Sequence, residues 1–283
     1  SSQYPGLTGT ANAFDPTHTL GDNGTDAFVA VIREPSPGVT SLFYLSYFGG
    51  TGTDDARAIA SDGAGGVYIA GSTSSSEIPK KLGPHINGGI IDWFVAKFNP
   101  NASVPANTLV YTFRLGGAGT DRSAAIAVDA SGKAYVAGDT EFALHVGVVP
   151  LGYDQTFNGP NAHRDAFLAV INSTGTGLTY FSYLGGIGSD FSRGLSLDNN
   201  LDAYIVGDTN SLDFPLVEPF QATLAGVSEG FVARLRTTSV SPPAAGLVFS
   251  SYLGGSADDT PLAVALTVGG DLRVVGGTRS ADF

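Results

Sequence analysis

An all-β fold made from one unit used four times is what the sequence predicts, on three observations. A glycine-rich stretch recurs as "YFGGTGTDD" at Tyr47, "RLGGAGTDR" at Arg114, "YLGGIGSDF" at Tyr183 and "YLGGSADDT" at Tyr252. Its first glycines, Gly49, Gly116, Gly185 and Gly254, stand 67, 69 and 69 residues apart, and a fixed period of this kind marks a repeat architecture. Between these stretches lie short runs rich in β-branched and aromatic residues, bounded by Gly, Asn, Asp and Pro, which is the signature of strands. Helical periodicity is nowhere sustained.

Each unit reads as four sequential antiparallel strands, A to D. Strand A follows the glycine stretch, as in "AAIAVD" (124–129), and a hairpin turn such as "DGAGGV", "DASGKA" or "DNNLDA" leads to strand B, as in "KAYVAGDT" (133–140). Strand C is "DAFVAVI" from Asp26, "DWFVAKF" from Asp92, "DAFLAVI" from Asp165 and "EGFVARL" from Glu229. Strand D runs back to the next glycine stretch, as in "LTYFSYLGG" (178–186).

Four-stranded units repeated around a ring make a β-propeller. Solenoid coils are much shorter and carry no pair of hairpins, and sandwich strands do not repeat. The expectation is one domain, 1–283, with strands C and D at 26–50, full repeats at about 51–117, 118–186 and 187–255, and strands A and B at 262–278. The two incomplete ends add up to one blade. Joined within one molecule they close a four-bladed ring, the arrangement expected here; joined between molecules they give a head-to-tail contact. Phe28, Phe94, Phe167 and Phe231 share one position in strand C and are expected to be buried between blades.

Composition narrows the function classes. A net charge of -12, with 21 Asp against 4 Lys, argues against nucleic acid, which needs clustered cations. No apolar run approaches the ~20 residues of a membrane helix, so membrane insertion is not expected. Cysteine is absent, which removes disulfides and thiolate metal sites. The chain starts with Ser and contains no Met, which reads as a mature chain without its signal peptide.

The motifs "YLGGxGxD", "AIAVDASGKAYVAGDT", "SLDFP" and "DAFLAVI" resemble the bacterial and archaeal β-propeller repeat called SBBP, and they do so in all four copies. The resemblance implies a secreted or surface-exposed protein, often modular, with no catalytic residues assigned to the repeat. Three departures stand out: Thr267 where the other copies have Asp62, Asp129 and Asp198, "SADD" in place of the third glycine of the last copy, and "TEFALHVGVVP" (140–150) without "DFP".

The glycine stretch superficially resembles a phosphate loop. It joins strand to strand, however, and places carboxylates where an anion would sit. The glycines are expected at positive φ in a tight D-to-A connection. Asp54, Asp121, Asp190 and Asp259 are expected to cap that turn as an Asx-type side chain does. Their equivalence across four units also makes them candidate ligands for a hard cation such as Ca²⁺, the one cofactor considered. His18, His85, His145 and His163 share no register, which argues against a common zinc site.

Sequons at Asn23, Asn101 and Asn172 are candidate glycosylation sites in loops. The B-to-C segments, roughly 1–25, 73–91, 141–164 and 210–228, vary while the strands stay alike, which is where binding surfaces are usually built. The expected function is a non-catalytic, extracellular or cell-surface scaffold, structural or adhesive, partnered by itself, other surface proteins or glycans, and suited to a fibre or surface layer. The alternatives are a carbohydrate-binding propeller and, behind it, a propeller glycosidase.

Overall fold

The computed structural model describes residues 8–17, 24–144, 152–159, 163–238 and 243–283. These residues form an all-β molecule of several small sheets, each made from a consecutive stretch of chain. Two strands, β1 (Ala27–Ser36) and β2 (Val39–Phe48), make the first sheet. The second contains β3 (Asp54–Ser61), β4 (Val67–Thr73), β5 (Leu82–His85), β6 (Asp92–Phe98) and β7 (Leu109–Leu115), in the order β3-β4-β6-β7-β5. The third is the sequential meander β8 (Asp121–Val128), β9 (Ala134–Thr140), β10 (Asp165–Ile171) and β11 (Leu178–Leu184). The fourth is β12 (Asp190–Leu197), β13 (Ala203–Thr209), β14 (Glu229–Leu235) and β15 (Leu247–Leu253). The last again has two strands, β16 (Asp259–Leu266) and β17 (Leu272–Thr278).

The repeat holds to the level of register. Every A–B pair carries one irregularity, between Ala56 and Ala58, Ser123 and Ala125, Ser192 and Gly194, and Pro261 and Ala263. Every C–D pair carries one at Val31/Ile32, Lys97/Phe98, Val170/Ile171 or Arg234/Leu235, and the first sheet has a second between Arg33 and Ser36. The B–C pairs are regular and set a glycine opposite the strand C phenylalanine: Gly71 with Phe94, Gly138 with Phe167, Gly207 with Phe231. A Cβ at Gly138 would stand 2.0 Å from the Arg122 carbonyl and 2.7 Å from the Phe167 ring, so only glycine leaves the ring its place.

Alternate faces of the strands then build three cores between successive sheets. Phe94, Ala96 and Phe98 pack with Val29, Tyr44 and Phe48 of the first sheet. Trp93, Val95 and Phe113 face Phe167, Ala169 and Phe181 of the third. Leu168, Val170 and Leu184 meet Ile205, Phe231 and Leu235 of the fourth. The stretches read as A–B hairpin turns are turns, and they are capped: the Asp62, Asp129 and Asp198 carboxylates each accept two backbone N–H bonds from the turn, and the Thr267 hydroxyl accepts one from Asp271. Gly65, Gly132 and Gly270 adopt positive φ there, and Leu201 takes the same conformation at φ 64° without glycine's freedom.

Four sequence expectations are corrected. The N-terminal C and D strands and the C-terminal A and B strands do not complete one blade, because β1–β2 and β16–β17 remain separate two-stranded sheets. Successive sheets share cores, and among the described strands β1 pairs only with β2 and β17 only with β16. Consequently Phe28 is 62% exposed, whereas Phe94, Phe167 and Phe231 are fully buried as expected. The paired glycines of the D-to-A connection do not take positive φ, since the positive-φ glycines lie elsewhere. A fifth strand, β5, also joins the second sheet in parallel to β7, where the sequence predicts only a variable segment.

Candidate functional site

The D-to-A connections are the most repeated polar feature of the molecule. In each, the second glycine of the pair donates its N–H to the aspartate four residues on: Gly50 to Asp54 at 2.8 Å, Gly117 to Asp121 at 2.6 Å, Gly186 to Asp190 at 3.0 Å and Gly255 to Asp259 at 2.7 Å. Hydroxyls beyond strand B complete the cap. Ser75, Ser211 and Ser280 donate to Asp54, Asp190 and Asp259 at 2.6, 2.9 and 2.7 Å, and Thr140 donates to Asp121. All four carboxylates are buried.

A second acid accompanies each of them, at the head of strand C. Asp92 accepts from the Gly88 N–H, Asp165 from the Asn158 N–H, and Glu229 from the N–H groups of Ala225 and Gly226, so this acid fastens the end of its own B-to-C segment. The first glycine of the pair lies between the two carboxylates. A Cβ at Gly185 would meet Asp190 at 2.5 Å and Asp165 at 3.1 Å, and one at Gly116 would meet Asp92 at 1.7 Å. Glycine is required here by close approach rather than by backbone torsion. The sequence signal for this acid is its recurrence at the head of strand C as Asp26, Asp92, Asp165 and Glu229.

Burial of two acids around one glycine has an electrostatic consequence. Burial, reinforced by the neighbouring charge of Asp190, pushes Asp165 up to about 7. Burial likewise raises Asp121 and Asp190 to about 6. Asp92 is also raised by burial, against the pull of Arg114, whose guanidinium lies 2.7 Å away. At the open end the balance reverses: burial still raises Asp259, but bonds from Thr278, Gly255 and Ser280 outweigh it and hold the carboxyl below its usual range.

The structure does not bring Asp54, Asp121, Asp190 and Asp259 together. Each is spent on its own connection, and among the described residues no group of three or more His, Asp or Glu side chains is placed to hold a metal ion. His85 lies in β5, and His163 faces the Ser189 hydroxyl at 3.4 Å; His18 and His145 lie outside the described residues. Asn101 is exposed and accepts from Arg33 at 2.6 Å, Asn172 accepts from the Thr176 N–H within its own turn, and Asn23 lies outside the described residues.

The B-to-C segments spend their backbone on the outer edge of strand D in every repeat. Thr10 donates to Leu45 and Tyr47 to Asp15 beside β2; Thr112 donates to Lys81 and Ile86 to Arg114 beside β7. Tyr183 donates to Asp154 beside β11, and Val217 and Ser250 exchange two bonds beside β15. Their amides are partly committed as well, since Gln155 donates to the Phe181 carbonyl and Gln221 to Glu229. A sheet edge invites pairing with another strand, and all four outer edges are covered in this way. The strand A edges β3, β8 and β12 have no second partner strand, and two further edges stand open at the terminal sheets. The described strands pair β1 only with β2, and β17 only with β16.

Beside β17 runs an apolar groove of about 540 Å³, walled by Phe220, Val232, Phe249 and Leu253 on one side and by Leu272 and Val274 on the other. Among the described residues no helix is long and apolar enough to cross a membrane, which says nothing of strand-built barrels. A family model described as a beta-propeller repeat, SBBP, matches residues 44–79 and 179–215, so the resemblance read from the sequence holds over these two segments. No curated protein matches the chain.

Proposed function

From the SBBP β-propeller repeats that the chain carries, we propose that it is a non-catalytic β-propeller scaffold of the cell exterior, structural or adhesive, which works by associating with itself. Its three complete sheets are three blades, and its terminal half-sheets are the two halves of a fourth. The observation that carries this reading is the contrast between strands B and C of the complete sheets, which pair with one another, and β17 and β1, which among the described strands have no such partner. Strand A is an end strand in every complete sheet, whereas strands B and C pair with one another there, so β17 and β1 are the two edges that the repeat itself equips for a partner strand.

The buried acids support the non-catalytic part. A retaining glycosidase needs two carboxylates about 5 Å apart that both reach the sugar. The paired acids here are close but sealed inside their connections, each engaged with backbone N–H groups. Electron microscopy and light scattering on purified protein test the reading: ordered assemblies, fibres or rings are expected. A strictly monomeric protein that captures a defined oligosaccharide on a glycan array would replace it with the carbohydrate-binding alternative.

A further inference from the structure

We infer that the partner at the open edges is a second copy of this chain, added head to tail, with β1 of one copy hydrogen-bonded antiparallel to β17 of the next in the register Gly276–Phe28. The inference rests on the self-association reading above and fixes its interface.

The register follows from the three complete sheets. Strand B pairs with strand C by Gly71–Phe94, Gly138–Phe167 and Gly207–Phe231, and the counterparts left over are Gly276 on β17 and Phe28 on β1. The nearest atoms to the missing Cβ of Gly276 belong to Thr260 and Pro261, as those at Gly71 belong to Asp55 and Ala56, whereas at Gly138 and Gly207 they include the rings of Phe167 and Phe231. Phe28, the ring that would lie over it, is 62% exposed.

The faces match as the edges do. In a complete blade the positions of Phe28 and Ile32 are Phe167 and Ile171, both fully buried against the preceding sheet, while Ile32 is 70% exposed. The opposite face of β1, with Ala27 and Val29, already lies in a core. On the receiving side, Trp93, Val95 and Phe113 hold Phe167, Ala169 and Ile171 in the third sheet. In the fourth sheet the positions of Trp93, Val95 and Phe113 are Gly230, Val232 and Ser251, and in place of the two rings Val232, Phe249 and Leu253, together with Leu272 and Val274 of β17, enclose the apolar groove. Phe28, Ala30 and Ile32 of an arriving copy fill it.

One ion pair of the fourth sheet has a counterpart at the inferred contact, where within each copy Arg33 also donates to Asn101 at 2.6 Å and Asp271 accepts from Arg273 at 3.0 Å. Arg236, five residues after Phe231, approaches Asp202, five before Gly207, at 4.0 Å. In the inferred pairing the residues at the same offsets are Arg33 of one copy and Asp271 of the other. Two copies joined at both ends close a ring, and otherwise the contact propagates as a filament.

Because the chain has no cysteine, single thiols report the contact cleanly. Ala30 and Val274 are opposed in the inferred register. Ala30→Cys and Val274→Cys chains are mixed, oxidised and digested, with light scattering run in parallel and circular dichroism confirming that each variant folds. A disulfide between the peptides carrying positions 30 and 274 is expected, and Phe28→Asp in the Ala30→Cys chain is expected to abolish it. In the double variant, linked dimers and higher species support the inference, whereas a disulfide confined to monomers overturns it in favour of closure within one chain. Assemblies without the 30–274 linkage overturn the register and leave the scaffold reading standing. Monomers throughout, with no linkage, overturn both.

Discussion

The third sheet and the two terminal half-sheets use the same sequence motifs and have different fates. In the third sheet Phe167 sits opposite Gly138, beneath Trp93 at a centroid distance of 5.3 Å, and is fully buried. At the N-terminal end Phe28, in the same motif, lies mostly in solvent. The difference teaches that the motif encodes a strand and its partner's register, but not the presence of that partner. Burial belongs to the assembled pair of edges rather than to the residue.

The sharpest way to break this comparison is to truncate both rings. Phe167→Ala removes a fully buried aromatic and should cost about 3–5 kcal/mol in urea unfolding. Phe28→Ala should cost less than about 1 kcal/mol in dilute protein, because its ring has little contact to lose. Equal losses would mean that Phe28 is covered even at low concentration, and the contrast between complete and half sheets would not describe the protein in solution.

The caps offer a second, smaller contrast. Asp190→Ala strands the Gly186 N–H and the hydroxyls of Thr209 and Ser211 inside a closed connection, and should cost roughly 2–3 kcal/mol. Asp259→Ala removes a similar set of bonds from a connection beside an unfinished sheet, where water reaches the freed donors, and should cost about half as much by the same reasoning. Chemical denaturation of both variants tests the order, and a reversal of that order would show the open end to be the better-packed one.

Much of this was legible in the residues. "DAFLAVI" and "KAYVAGDT" became β10 and β9 within a residue of their predicted limits, because strongly patterned strands need only local information. The capping role of Asp54 and its equivalents was readable from its place in a turn. Other features were not. The segment "LGPH" holds a glycine and a proline and carries no strand pattern, yet forms β5 because the edge of β7 offers unpaired groups. The glycine pairs pointed to positive φ by the usual rule, whereas their true constraint is the presence of two acids that meet only in three dimensions. Strand counting could add two halves to one blade, but β1–β2 and β16–β17 form two separate sheets.

The paired acids make stability depend on pH in a predictable direction. Asp121, Asp165 and Asp190 have folded-state values near 6, 7 and 6, above the ordinary carboxyl value they regain on unfolding. Between roughly pH 4 and pH 7 the folded state therefore holds more protons than the unfolded state, and stability falls as pH rises through this window. The melting temperature should be several degrees higher near pH 5 than near pH 8. Asp165→Asn should flatten the upper part of the profile, since the amide needs no proton to sit beside Asp190. The half-sheet again contrasts: Asp259, held below its usual range, favours the opposite slope at lower pH. A profile that climbs steadily from pH 5 to pH 8 would contradict the burial of these pairs.

The smallest effect concerns calcium, and it bears on complete and unfinished repeats alike. If Asp54, Asp121, Asp190 and Asp259 were ligands, a site filled at a hundredfold excess over its dissociation constant would stabilise the protein by about 2.7 kcal/mol. Such a site needs six to eight oxygens at bonding distance. Each aspartate already receives a glycine N–H and at least one hydroxyl proton. A cation would have to displace those donors, and each displaced donor would be left unpaired in a closed connection. Calcium at millimolar concentration should therefore leave the melting temperature unchanged and give no saturable heat in calorimetry. A stoichiometric heat lost on Asp190→Asn but kept on Asp259→Asn would restrict the site to the complete repeats. Loss on either substitution would mean that the connections rearrange to bind, and that their glycines keep room for an ion as well as for the second acid.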